Sequence, residues 1–191
     1  MSVKDLVLKS RSYRRFDENH AISREQLLEW VDLARVCPNG ANMQPLKYAI
    51  SCDRATNARI FPHLRWAGAL KDWGGPKEGE RPSAYIVILC DKTIRETPGC
   101  DHGIAAQSIL LAATEAGLGG CMIGALDRMS LSAELRLPKH LDIALVVALG
   151  KPAEKVVLEG VRPDGTVTYY RDAQSVHHVP KRALGDILVV I

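Results

Sequence analysis

Residues Tyr85-Ile86-Val87-Ile88-Leu89, inside the run from Ala84 to Asp91, are apolar without alternation. A strand with one face in water alternates apolar and polar residues, so this run is expected as a central strand covered on both faces. A second element imposes the same demand. From Gly103 to Gly117, positions such as Ile104, Ala105, Ser108, Leu111, Ala112 and Glu115 belong to a small-residue-rich helix that is apolar nearly all round. Such a helix belongs at a domain centre or a subunit interface.

The remaining pattern is built around these two. Ser23-Arg24-Glu25-Gln26 has the form of a capping box, and Leu27, Leu28, Val31 and Ala34 repeat at helical spacing, which predicts a helix from Arg24 to Val36 ending before Pro38. Leu46–Cys52 and Leu141–Gly150 read as strands, the second stopped by Lys151-Pro152, and Val167–Tyr170 reads as an edge strand. Trp66 to Pro76 carries glycines and a proline that predict a mobile excursion. The tail from Arg182 to Ile191 places Leu184, Ile187 and Leu188 at helical spacing, and its Val-Val-Ile end calls for a covering surface. At Gly117-Leu118-Gly119-Gly120 a helix precedes and a strand follows, the reverse of a dinucleotide fingerprint, so Gly117 is read as a helix stop.

A length of 191 residues with 47% apolar content suits a single domain spanning residues 1–191. A formal charge of +3 and 5% aromatic residues argue against a nucleic-acid module. The five cysteines, Cys37, Cys52, Cys90, Cys100 and Cys121, form no C-x-x-C pair and read as reduced thiols. With no apolar leader and no run of membrane-spanning length, a soluble cytoplasmic protein without a membrane partner is expected.

Arg11-Ser12-Tyr13-Arg14-Arg15-Phe16-Asp17 sets three guanidinium groups and a hydroxyl side by side ahead of the first long helix. Guanidinium forks match phosphate oxygens, so the cluster is an anion-binding assortment. A polar turn, Cys37-Pro38-Asn39-Gly40-Ala41-Asn42-Met43-Gln44-Pro45, follows that helix. Later comes Ala105-Ala106-Gln107-x-x-Leu110-Leu111-Ala112-Ala113-x-x-x-Gly117-Leu118-Gly119-Gly120. These blocks agree in order and spacing, and from Lys4 to about Leu188 the chain resembles the FMN-dependent nitroreductase family.

That resemblance implies an α+β fold: a three-layer arrangement with a mixed, mainly antiparallel sheet flanked by helices, in a homodimer with flavin at the subunit interface. It implies FMN as cofactor, NADH or NADPH as electron donor, and a ping-pong reduction of nitro compounds, quinones or related small-molecule acceptors. By resemblance, Arg11, Ser12 and Arg14 hold phosphate and ribityl groups, with Lys181 and Arg182 as a second basic contribution. Asn39, Gly40, Asn42 and Gln44 fall in the second flavin-contacting turn, part of which comes from the partner subunit, and Ile123-Gly124 lies against the flavin ring. The chain departs from the family pattern at Ser10, where a further basic residue is usual, and at Pro38-Asn39, where Pro-Ser is usual.

No catalytic side chain is nominated, because in such enzymes the cofactor carries the chemistry. Trp66 and Trp73 are candidates to wall the acceptor pocket. Cys100-Asp101-His102 has the look of a thiol–imidazole pair, but Asp101 is better read as the start of the following helix. His177-His178, without a carboxylate near them in sequence, read as structural. Two alternatives stay open: a flavin enzyme with one dedicated acceptor, and a flavin-binding protein without turnover.

Overall fold

In the computed structural model, which describes residues 1–189, β3 (Ala84–Asp91) is buried at all its positions. It lies between β2 (Leu46–Ser51) and β5 (Leu141–Pro152), antiparallel to both. The long β5 also pairs with β4 (Gly119–Ile123) and, at its far end, with β1 (Phe16–Asp17). This five-stranded sheet is antiparallel in every named pairing. The parallel ladder lies in a separate small sheet, where β8 (His177–Lys181) runs parallel to β6 (Val156–Gly160) and antiparallel to β7 (Tyr170–Arg171).

Successive residues of β3 feed two different cores, as the pleat requires. Ala84, Ile86 and Ile88 pack with Leu27, Trp30 and Ala34 of α2 (Arg24–Arg35) and with Ala105, Ile109 and Ala113 of α4 (Asp101–Glu115). Tyr85, Val87 and Leu89 face the other way, toward Leu64, Trp66, Ile60 of α3 (Arg54–Ile60) and Leu131 of α5 (Arg128–Glu134). The result is helix, sheet and helix in three layers, each fully buried Leu or Ile contributing roughly 1.5–3 kcal/mol of transfer free energy. A short α1 (Val3–Lys9), capped by Ser2, precedes β1.

Local chemistry sets the element ends. Ser23 and Gln26 form the capping box of α2 in both directions. Gly117, at φ 74°, closes α4 with the paired bonds of a Schellman stop, Leu118 N–H to Ala113 at 2.8 Å and Gly117 N–H to Thr114 at 3.0 Å. Gly120 has a packing role: a Cβ there would lie 2.4 Å from the Ala148 carbonyl oxygen and 2.7 Å from Leu110 Cδ2.

Several expectations need correction. Pro152 does not stop β5, because pairing with the Arg15–Asp17 segment carries the strand on, and Ala153 N–H still bonds the Arg15 carbonyl at 2.9 Å. The edge strand forms at Tyr170–Arg171, so only Tyr170 of Val167–Tyr170 belongs to it. The tail makes only a short 3-10 turn at Leu184–Asp186, leaving Leu184, Ile187 and Leu188 exposed; Val190 and Ile191 of the apolar end lie outside the described residues. The Trp66–Pro76 excursion contains no helix or strand, yet Trp66, Ala67 and Pro76 are buried and anchor it.

Gly120→Ala is expected to cost about 1–3 kcal/mol through overpacking, measured by urea unfolding. Gly160→Ala, with nothing within 4 Å of the added carbon, should leave the midpoint nearly unchanged.

Candidate functional site

Arg14 owes its position to a buried carboxylate. The Glu154 side chain is 1% exposed. Its Oε1 accepts the backbone N–H groups of Arg14 and Arg15, the latter at 3.1 Å, and its Oε2 accepts Arg171 Nη2 at 2.9 Å. One residue back, Tyr13 N–H donates to the Gly120 carbonyl at 3.0 Å, and Ser12 bridges Gly120. The Arg11–Arg15 segment is thereby pinned across the start of β4.

The Arg14 guanidinium makes its direct contacts with uncharged groups. Its Nη1 donates to the Ser12 carbonyl at 3.2 Å and stands 3.3 Å from His177 Nε2, and its Cζ is 4.9 Å from the centre of the Tyr169 ring. Neither Arg11 nor Arg14 forms an ion pair among the described residues. Arg11 donates to the Val7 carbonyl, and its buried Nε has no partner.

Arg14 lines a cleft of about 140 Å³ with Arg65, Trp66, Tyr169 and the stretch from Cys121 to Ala125. Ile123 and Gly124 are therefore brought to Arg14, as expected for one site. The nearest atom to a Cβ built on Gly124 is Leu145 Cδ1 at 3.8 Å, so this turn is uncrowded. Arg128 holds it in place, donating from Nη2 to the Gly124 carbonyl and from Nε to the Ile143 carbonyl, each at 3.0 Å.

The second predicted block lies elsewhere in the chain. Asn39 and Gln44 line a different cleft, of about 200 Å³, that includes Tyr48 and Asp101. Asp101 starts α4, as expected, with Cys100 at the position before it. Its buried carboxylate also accepts Gly40 N–H at 3.0 Å and faces Arg95 at 3.7 Å. Asn39 Oδ1 accepts Gln44 N–H at 2.9 Å. Between these tethers Ala41, Asn42 and Gln44 all have φ between 51° and 54°. Three left-handed non-glycine residues in one short turn store strain of the kind found at ligand sites.

Lys181 and Arg182 are exposed, Lys181 four strand residues, roughly 13 Å, past His177. Neither lines the Arg14 cleft, whose second lining cation is Arg65. Trp66 lines the cleft, whereas Trp73 packs under the Arg171 guanidinium at 4.2 Å. Cys100 and His102 make no hydrogen bond to each other. His177 is buried, and burial together with the Arg14 charge lowers its pKa to about 4. His178 does have carboxylates close by, contrary to the sequence reading. Asp172 at 3.1 Å and Glu159 at 3.0 Å bracket its ring and raise its pKa. Both histidines serve the small sheet, His178 by stacking on Tyr170 at 4.8 Å.

The sequence profile of the Nitroreductase family matches residues 7–151. A Methanothermobacter thermautotrophicus protein, provisionally named NADH dehydrogenase/NAD(P)H nitroreductase, is 29% identical over 161 residues, covering 81% of this chain and 79% of the relative. A Bacillus subtilis protein, provisionally named NAD(P)H nitroreductase YodC, is 22% identical, covering 76% of this chain and 87% of the relative. Among solved structures, a nitroreductase from Exiguobacterium sibiricum in complex with FMN, also provisionally named, has a TM-score of 0.68 at 16% identity, covering 81% of this chain and 90% of that one. The chain belongs to the nitroreductase family, and its α+β architecture is that of the family.

Glu154→Ala leaves Arg171 without its buried partner and is expected to cost about 3–5 kcal/mol of unfolding free energy, measured in urea. The two histidines should respond to pH in opposite senses. His177 has a depressed pKa, so its contribution is intact above its ordinary 6.5 and is lost as pH falls toward about 4. His178 has a raised pKa, so its contribution is present below 6.5 and is lost as pH climbs through the raised value. Hydrogen exchange of β8 amides across pH should show both losses. His177→Asn should flatten the acid limb and His178→Gln the alkaline one.

Proposed function

We propose that the chain is an FMN-dependent NAD(P)H oxidoreductase that reduces nitro compounds, quinones or similar electron-poor acceptors. The observation that carries this reading is a part-buried Arg14 guanidinium free of ion pairs, set in one cleft with an uncrowded Gly124 turn. The names of the archaeal and Bacillus relatives and the FMN complex of the Exiguobacterium protein support the choice of donor and cofactor.

The residues fit the group. FMN brings a phosphate dianion, and Arg11 and Arg14 offer two cations not consumed by carboxylates, with the Ser12 hydroxyl beside them. A cleft of about 140 Å³ is smaller than the roughly 300–1,000 Å³ of a small-molecule site, so one chain supplies only part of the enclosure. In this reading the rest comes from a second copy. Its strained Asn39–Gln44 turn brings Asn39, Gly40, Asn42 and Gln44 to the pyrimidine edge, where amides both donate and accept. Exposed Leu28, Leu33, Val36, Met43 and Ile104, on α2, the turn and α4, supply apolar surface for such a homodimer. Lys181 and Arg182, exposed at the end of β8, are assigned the second basic contribution to the phosphate.

When bound, FMN would supply the hydride and electron transfer between donor and acceptor. The chain positions and shields. Arg14 holds the anion, and His177, kept neutral, accepts from Arg14 and fixes its fork. Trp66 and Tyr169 wall the cleft. Ile123 and Gly124 present backbone to the ring, Gly124 leaving room for its edge.

Purified protein should show oxidised-flavin bands that bleach on adding NADH or NADPH without oxygen and return with a nitroaromatic or quinone. Bleaching no faster than that of free FMN would favour a binding protein without turnover. Arg14→Gln should weaken FMN binding at least tenfold, the loss of about 1.5–3 kcal/mol from a charged hydrogen bond. Gly124→Ala, which the chain accommodates, should keep stability within about 0.5 kcal/mol while slowing flavin reduction.

A further inference from the structure

Another cleft, of about 290 Å³, opens between α3, the Glu18–Ala21 segment and the stretch from Glu78 to Ser83. None of its lining residues lines the Arg14 cleft. Arg81 lies over the Phe61 ring with Cζ 4.5 Å from its centre, and its fork makes no hydrogen bond or ion pair among the described residues. The Arg81 Nε and the Ser83 hydroxyl are buried without partners. Tyr85, 1% exposed on β3, also lines the cleft, and its hydroxyl bonds nothing among the described residues. Burial holds the Tyr85 phenol above its ordinary pKa, so it stays a donor.

Several other polar groups nearby are already engaged. Asn57 binds Ser51 at 2.7 Å and the Ser83 carbonyl at 2.8 Å. Arg54 donates to Asn19 at 2.9 Å, and the Glu18 carboxylate accepts Gly79 N–H. Glu78 is exposed at the rim. What remains is a guanidinium fork, a phenol and a hydroxyl, all able to donate and none hydrogen-bonded among the described residues, the Arg81 Nε and the Ser83 hydroxyl being fully buried. Each buried donor left unmatched is destabilising, so native structures pair such groups with protein, water or ligand.

We propose that this cleft is a binding site for a small organic carboxylate. The fork of Arg81 matches a carboxylate in bidentate fashion, while Tyr85 and Ser83 donate to the remaining lone pairs. Ala58 and Pro82 give a short apolar body a surface to rest on. The site is independent of flavin binding, so either assignment can fail without the other.

Benzoate and acetate, titrated into the full-length purified protein against chloride at equal ionic strength, test this by amide chemical shifts. Saturable shifts are expected at residues 54–58 and 81–85. Arg81→Met should abolish them, and Arg14→Gln should leave them in place. Tyr85→Phe, which keeps the packing, should weaken binding about tenfold and carries the test if Arg81→Met does not fold. Absence of saturable shifts would mean the donors meet only water. Shifts confined to residues 121–125 would place the carboxylate in the Arg14 cleft, and tighter binding of inorganic phosphate than of either carboxylate would make this a phosphate site. Each of these results would overturn the proposal.

Discussion

One buried carboxylate, Glu154, ties together the parts that make the site. A buried charge is tolerable only when its lone pairs are met, and here two backbone N–H groups and the Arg171 guanidinium meet them. The backbone bonds fix Arg14 and Arg15 against the end of β5. The Arg171 bond ties the small sheet to the large one, and Arg171 in turn covers Trp73 of the excursion. Because Glu154 binds the backbone of Arg14 and not its side chain, the Arg14 charge stays available for a ligand.

The parts of the fold that were legible in the sequence are those set by local chemistry or by burial. The unbroken apolar run of β3 announces cover on both faces. The capping box of α2 and the Gly117 stop of α4 are encoded within a few residues, and the structure places them where the pattern does. The tail shows the limit: Leu184, Ile187 and Leu188 have helical spacing, but packing decides whether so short a segment becomes a helix, and here it forms one tight turn.

The candidate site was legible only in part, because its chemistry is assembled across long sequence separations. Arg14 and Glu154 are 140 residues apart, and nothing in the Lys151–Lys155 spacing marks that carboxylate as a partner. His178 meets Asp172 through a turn and Glu159 through parallel pairing of β6 and β8, a topology that a single sequence does not reveal. Asp101 reads locally as a helix start, and only the tertiary fold shows it also holding the Gly40 turn. The motifs pointed to the arginine segment and the turn; the groups that orient them came from the structure.

The two halves of the proposed site sit in separate clefts of one chain, so the account stands on their meeting across two copies. The direct measurement is complementation between two flavin-deficient variants, Arg14→Gln and a variant with Asn42 and Gln44 both replaced by alanine, mixed under conditions that exchange subunits. In a mixed dimer one site carries both lesions and the other carries none, so the account predicts recovery of FMN binding to one site per mixed dimer. No recovery, with mixed dimers demonstrably formed, would contradict a site shared between chains.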